Sequence, residues 1–102
     1  MRSIWVAGPV TGHFDLNRPA FEDARRRLMD RGFRVILPHD LVPPTATWEE
    51  AMRITIGRML RCDAVAYLPG WKESRGAALE VRLARAVGME TASVRRWEER
   101  RR

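Results

Sequence analysis

One stretch decides the fold: Ala64-Val-Ala-Tyr-Leu-Pro-Gly-Trp-Lys-Glu-Ser-Arg-Gly-Ala-Ala-Leu-Glu-Val-Arg-Leu-Ala-Arg-Ala-Val-Gly88. Its opening run, Ala64 to Leu68, is apolar and short, as a strand buried on both faces should be. Pro69, Gly70 and Gly76 then turn the chain, and a helix follows. The helical period puts Gly76, Glu80, Leu83, Ala84 and Val87 on one face, with Arg75, Ala78, Arg82 and Arg85 opposite. Glu80 thus falls on the face expected to be buried, one turn inside the helix and just beyond a strand end. A carboxylate seldom sits there without a partner or a task. At this point two readings stand side by side. Glu80 is either a structural group bonded to backbone amides of a neighbouring loop, or a base, nucleophile or hydroxyl clamp at the floor of a crevice.

Upstream, the same alternation of strand and helix recurs. Ser3 to Ala7 is a strand candidate, ending in the loop Gly8-Pro9-Val10-Thr11-Gly12-His13, whose backbone amides can face a ligand. Asn17 is an expected helix N-cap with Pro19 in the first turn, and Leu16 and Phe21 stand in the relation of a hydrophobic staple. Phe21, Ala24 and Leu28 form the inward stripe, and Gly32 closes the helix as a left-handed C-cap. Phe33 to Leu37 returns as a second strand. Strand, helix and strand within about 35 residues imply a parallel pair with a right-handed crossover.

His39 and Asp40 follow at the same end of the sheet as the first loop, as ligand candidates or as solvated, capping groups. Thr47-Trp48-Glu49-Glu50 is a capping box, and Trp48, Met52, Thr55, Ile56 and Met59 share the inward face of the helix it starts. Thr55 is the one hydroxyl on that face. After Gly88, Glu90 to Val94 is a short fourth strand. The βαβαβαβ order points to a doubly wound parallel sheet, with ligands bound outside the carboxyl ends of the strands. The candidate polar residues converge at that end. Residues 1–94 are expected to form the domain, and 95–102 a basic tail that frays or packs on a partner.

Composition narrows the class. With 102 residues and 45% hydrophobic content, the chain has the size and character of one globular domain. Its apolar runs fall far short of the ~20 residues of a membrane span, and the N-terminus reads as a strand rather than a signal peptide. A single cysteine, Cys62, leaves no internal disulfide, and no Cys/His cluster has zinc spacing. These features suggest a cytoplasmic protein without membrane, metal or other cofactor. The net charge is +6, almost all from arginine, concentrated in Arg25-Arg26-Arg27 and beyond Arg95. That charge suits phosphate-bearing partners. Nucleic acid is the less favoured partner, because no aromatic interleaving or known binding motif accompanies the arginines.

Chemistry at the strand ends can be sketched from the residues alone. The helix start near Ser74, Arg75 and Gly76 favours an anion such as phosphate, with a hydroxyl and a guanidinium added. A nucleophilic carboxylate at Glu80 suits a glycosidic bond, whose developing oxocarbenium carbon an anion can trap.

Several segments together carry a family likeness: Ile-Trp-Val-Ala-Gly-Pro-Val-Thr-Gly, Phe-Asp-Leu-Asn-Arg-Pro-Ala-Phe, Arg-Val-Ile-Leu-Pro, and Cys-Asp-Ala-Val-Ala-Tyr-Leu-Pro-Gly-Trp followed by Ser-Arg-Gly-Ala-Ala-Leu-Glu. On these the chain resembles the nucleoside 2-deoxyribosyltransferase-like superfamily, and within it a family of small, often phage-encoded members. The resemblance implies a flavodoxin-like (Rossmann-like) three-layer α/β fold, with four to five parallel strands in the order 2-1-3-4. It implies a site for a deoxynucleoside or its 5′-monophosphate. The glutamate of the Ser-x-Gly-x-x-x-Glu pattern, which attacks the anomeric carbon in relatives, maps onto Glu80. The serine that binds phosphate in monophosphate hydrolases maps onto Ser74, and the sugar- and phosphate-wrapping loop onto Gly8, Pro9, Thr11 and Gly12. His13, Trp71, Arg75 and Gly76 complete the expected substrate-binding set.

One position departs from the pattern. Relatives commonly carry an aspartate eight residues before the Asp of the third strand, and here that position is Thr55. A threonine can bond a sugar hydroxyl but cannot act as a general acid near neutral pH. The resemblance also implies a homodimer or higher oligomer. The expected function is therefore N-glycosidic bond hydrolysis or deoxyribosyl transfer, with a non-catalytic nucleotide-binding protein as the alternative and a basic nucleic-acid-binding module as the third reading.

Overall fold

In a computed structural model, which describes residues 2–100, the chain forms a four-stranded, all-parallel sheet with helices on both faces. The strands are β1 (Ser3–Ala7), β2 (Arg34–Ile36), β3 (Ala64–Tyr67) and β4 (Glu90–Ser93), in the spatial order β2-β1-β3-β4. The helices are α1 (Arg18–Met29), α2 (Trp48–Met59), α3 (Arg75–Ala86) and α4 (Val94–Glu99). This is the flavodoxin-like α/β arrangement that the resemblance implied, built on the parallel, doubly wound sheet that the alternation predicted. Register follows the pleat, with Ile4 opposite both Val35 and Ala64, and Trp5 opposite Ile36 and Val65. Alternation then sends Ile4 and Val6 to one face, and Trp5 and Ala7 to the other.

Each face has its own core. On the first, α1 and α4 bring Phe21, Ala24, Leu28, Val94 and Trp97 against Ile4 and Val6. On the second, α2 and α3 bring Met59, Ala77, Ala78, Val81 and Ala84 against Trp5, Ala7 and Val65. The small alanines let α3 lie close to the sheet. Thr47 caps α2 by accepting from the Glu50 amide at 3.1 Å while the Glu50 carboxylate accepts from the Thr47 amide at 2.8 Å, the reciprocal box foreseen in the sequence. Gly32 stands at φ +88° behind α1, as its C-cap position requires.

Four local expectations are corrected. Asn17 precedes α1 but does not cap it: its backbone is left-handed, and its side-chain amide donates to the Pro9 carbonyl at 2.8 Å. Asp15, Leu16 and Asn17 make a left-handed turn with φ of 49°, 54° and 58°, so Leu16 is exposed instead of forming the staple. On α3 the buried face is turned toward Ala77 and Val81, so Ala78 is buried and Val87, at the helix end, is exposed. Glu80 therefore lies at the margin of the buried face, where the core gives way to a cavity. Finally, the tail does not fray. Ser93 caps α4 by accepting from the Arg96 amide at 3.0 Å, and Trp97 is only 1% exposed. Its indole packs edge-on against Phe33 and donates to the Val65 carbonyl at 3.0 Å, so this side chain belongs to the domain's own core. Arg101 and Arg102 of the expected tail, and Met1, lie outside the described residues.

Candidate functional site

A cavity of about 310 Å³ opens at the carboxyl ends of β1 and β2, walled by the starts of α2 and α3. Gly8, Thr11, Thr55, Ser74, Gly76 and Glu80 line it, joined by His39, Trp48, Met52 and the proline turn at Pro43 and Pro44. Six of the eleven residues expected from the sequence thus meet in one chamber. Gly8 is required there by close approach, since a Cβ at this position would stand 2.8 Å from Leu68 Cδ1 and 3.2 Å from Phe21 Cζ. Gly76 plays a similar part where α3 meets α2, with Met52 Sδ 3.2 Å from where a Cβ would be.

Glu80 forms the buried acidic wall, with only 6% of its surface exposed. Its Oε1 accepts a hydrogen bond from the Trp5 indole Nε1 at 3.2 Å. The Thr55 hydroxyl, itself 3% exposed, stands beside the carboxylate. That hydroxyl donates to the Met52 carbonyl at a long 3.4 Å, which leaves it able to turn toward Glu80. Among the described residues no cation pairs with Glu80. Burial pushes its carboxyl up to about 7, against the downward pull of hydrogen bonds from Thr55 and Trp5. The purely structural reading expected backbone amides around this carboxylate. Its partners are instead one indole and one hydroxyl, in a wall that faces open space.

Ser74 is the N-cap of α3, accepting from the Ala77 amide at 3.3 Å, so the hydroxyl and the free amides of the first helical turn face the same chamber. His39 contributes from the other side. Its Nε2 donates to the Leu16 carbonyl at 2.8 Å, its ring meets Phe21 edge-on, and its Nδ1 is buried without a partner among the described residues. Asp40, by contrast, accepts from the Leu37 amide at 3.0 Å and from Arg25, and is a structural group that holds the turn after β2.

Pro9, His13 and Arg75 lie in an adjoining outer chamber rather than beside Glu80. Gly12 lines neither space. Trp71 is buried in the second core against Tyr67, with ring centroids 5.0 Å apart, and borders a separate hollow with Arg27 and Lys72. The residue that sequence reasoning missed is Trp5. A tryptophan on a buried strand must place its indole N–H somewhere, and that requirement was the available signal. Trp48, read only as an inward-facing core residue, lines both chambers.

The basic run on α1 is neutralised. Arg25 pairs with Glu22 and Asp40, Arg26 with Asp23, and Arg27 with Asp23 and Glu98. Among the described residues no cluster of three or more His, Cys, Asp or Glu could hold a metal ion, and no helix is long and apolar enough to cross a membrane.

Fold and site together define an α/β domain with a ligand-sized cavity, containing one buried acid, at the carboxyl ends of its parallel strands. The chain belongs to the family described as Domain of unknown function (DUF4406), whose model matches residues 2–93. It is also similar to a conserved protein from Enterococcus faecalis V583 of known crystal structure, with a TM-score of 0.64 and 25% identity over 90% of this chain. This chain spans 62% of that protein's length. None of the curated proteins matches it.

Proposed function

We propose that this protein cleaves the N-glycosidic bond of a deoxynucleoside or its 5′-monophosphate and passes the deoxyribosyl group to water or to another base. The observation that carries this is the buried, unpaired Glu80 carboxylate facing a cavity at the strand ends. A group kept near pKa 7 by burial is protonated in part at neutral pH and strongly nucleophilic once ionised. The resemblance to the nucleoside 2-deoxyribosyltransferase-like superfamily supports the same reading, as do Ser74 and the Gly8 to Thr11 loop around the cavity.

In the proposed reaction one Glu80 oxygen attacks the anomeric carbon as the carbon–nitrogen bond breaks, and the bonding electrons leave with the base. Water or a second base then displaces the carboxylate and restores it. Trp5 holds Oε1 in place. Ser74 and the amides at the start of α3 receive the 5′-phosphate, with Arg75 at its outer side. Thr55 bonds a sugar hydroxyl or the carboxylate and does not supply the leaving-group proton, which comes from solvent. A second copy of the chain is proposed to cover the cavity edge at Leu16, which is 48% exposed, together with the neighbouring Phe14, 88% exposed. A monomer in sedimentation at micromolar concentration would count against that part.

The test is free-base release from a panel of deoxynucleosides and their 5′-monophosphates, followed by chromatography. Release is expected to rise with pH through about 7, as Glu80 ionises, and to vanish in Glu80→Gln. Base release that persists in this variant would sink the nucleophile assignment. Thr55 favours a second reading, a binding protein that holds a nucleotide without turnover. Ligand-dependent rises in melting temperature with no base released from any substrate would select it.

A further inference from the structure

Beyond the chamber that holds Glu80 lies a second one of about 640 Å³. The two share Thr11, Trp48, Ser74 and Gly76 along one wall and therefore adjoin. The outer chamber adds Pro9, His13, Glu73 and Arg75, while the inner one sets Arg18, His39 and Glu80 among mostly apolar side chains. At the junction the Arg75 guanidinium lies 3.7 Å from the centroid of the Trp48 ring. Among the described residues Arg75 forms no ion pair, unlike each arginine of the run on α1. Here an exposed cation without an ion-pair partner is held over an indole that lines both cavities.

We propose that the outer chamber is part of the ligand site, and that the natural ligand is a nucleotide whose 5′-phosphate carries a second group, of the dinucleotide class. This rests on the nucleotide reading of the inner chamber. That chamber sits at the lower end of the usual range for ligand pockets, roughly 300–1,000 Å³, and has room for one nucleoside. A 5′-phosphate at Ser74 would stand on the wall that both cavities share, so a group bonded to it can extend into the outer space. There the guanidinium of Arg75 meets the linking phosphate, and its indole-backed plane offers a stacking surface to a second ring system. Glu73 on the same wall disfavours a chain of further phosphates and favours a neutral planar group.

The test compares, for each base, the 5′-monophosphate, the dinucleotide in which that nucleotide is 3′-terminal, and the 5′–5′ dinucleoside diphosphate, by calorimetry. At least one extended ligand is expected to bind about tenfold tighter than its monophosphate, the worth of one stacked, charge-assisted contact. The two extended forms distinguish a phosphodiester from a diphosphate link. Arg75→Ala is expected to remove most of that gain. Monophosphates binding as tightly as every extended form, or a gain that survives Arg75→Ala, would overturn the proposal while leaving the nucleotide reading intact. If no nucleoside or nucleotide binds at all, both fall. Longer single-stranded oligonucleotides are expected to add nothing beyond the dinucleotide. Affinity that keeps climbing with length and falls steeply with salt would overturn it in favour of a nucleic-acid groove.

Discussion

Two fully buried tryptophans lie against opposite faces of the same sheet, and they use their indole N–H groups differently. Trp97, on α4, donates to the backbone carbonyl of Val65 and seals an apolar core. Trp5, beneath α3, donates to the Glu80 carboxylate at the wall of a cavity. Both satisfy the demand that a buried donor find an acceptor. The first face closes on itself, with Phe21, Leu28, Phe33 and Trp97 in one core cluster with Ile4 and Val6. The second stays open at the strand ends, where small glycines and alanines let α3 approach and one acid occupies the margin. The same strand therefore supports a sealed core on one side and the candidate site on the other.

The largest expected effect tests the sealed face. Trp97→Ala should cost about 3–5 kcal/mol, as truncating a fully buried aromatic does, which is much of the stability of a small domain. Denaturant unfolding followed by circular dichroism measures it. A loss under about 1 kcal/mol would mean that α4 is an appendage after all.

On the open face the expected change has the opposite sign and depends on pH. Glu80 has a folded-state value of about 7 against an ordinary 4.5, so the stability its neutral form provides is complete below about 4.5 and lost as pH rises through 7. Glu80→Gln keeps an oxygen for the Trp5 N–H and removes the charge. It should match the parent near pH 4 and exceed it at pH 8 by up to about 3 kcal/mol, while releasing no base. Parallel stability curves for the two proteins across pH 4–8 would show that Glu80 is not the buried, unpaired acid described here.

The smallest effect sharpens the role of Thr55. Thr55→Val removes one long hydrogen bond and is expected to cost roughly 0.5–1.5 kcal/mol in stability. It should also move the pH midpoint of base release upward, because a group that lowers the Glu80 value is gone. Turnover should fall no more than about tenfold, the scale of one hydrogen bond. A collapse as deep as that of Glu80→Gln would show Thr55 handling the proton that its chemistry argues it cannot carry.

Much of this contrast was legible before any coordinates. The Thr47/Glu50 capping box, the Gly32 cap and the inward stripe of α1 are local signals, set by a few consecutive residues, and each appears where expected. Thr55 was placed on the inward face of α2 by its helical period; it is buried there, and the fold sets it beside Glu80. The failures have a common cause. Helix α4 is six residues long, too short to show a period, and only contact with Phe33 and Val65 makes Trp97 a core residue. The turn at Asp15–Asn17 is left-handed although no glycine occupies it, and its long-range bonds are those of Asn17 to Pro9 and Leu16 to His39.

By itself the sequence determined the alternation of strands and helices, the parallel sheet, and the end at which a ligand would bind, because periodicity and turn chemistry are properties of neighbouring residues. Tertiary structure alone decided the rotation of α3 and the pairing of Trp5 with Glu80 across 75 positions of chain. It also decided that two cavities adjoin at that end of the sheet. Those features depend on how separate elements pack, and packing sets the burial, and hence the proton affinity, of the one acid at the centre of the site.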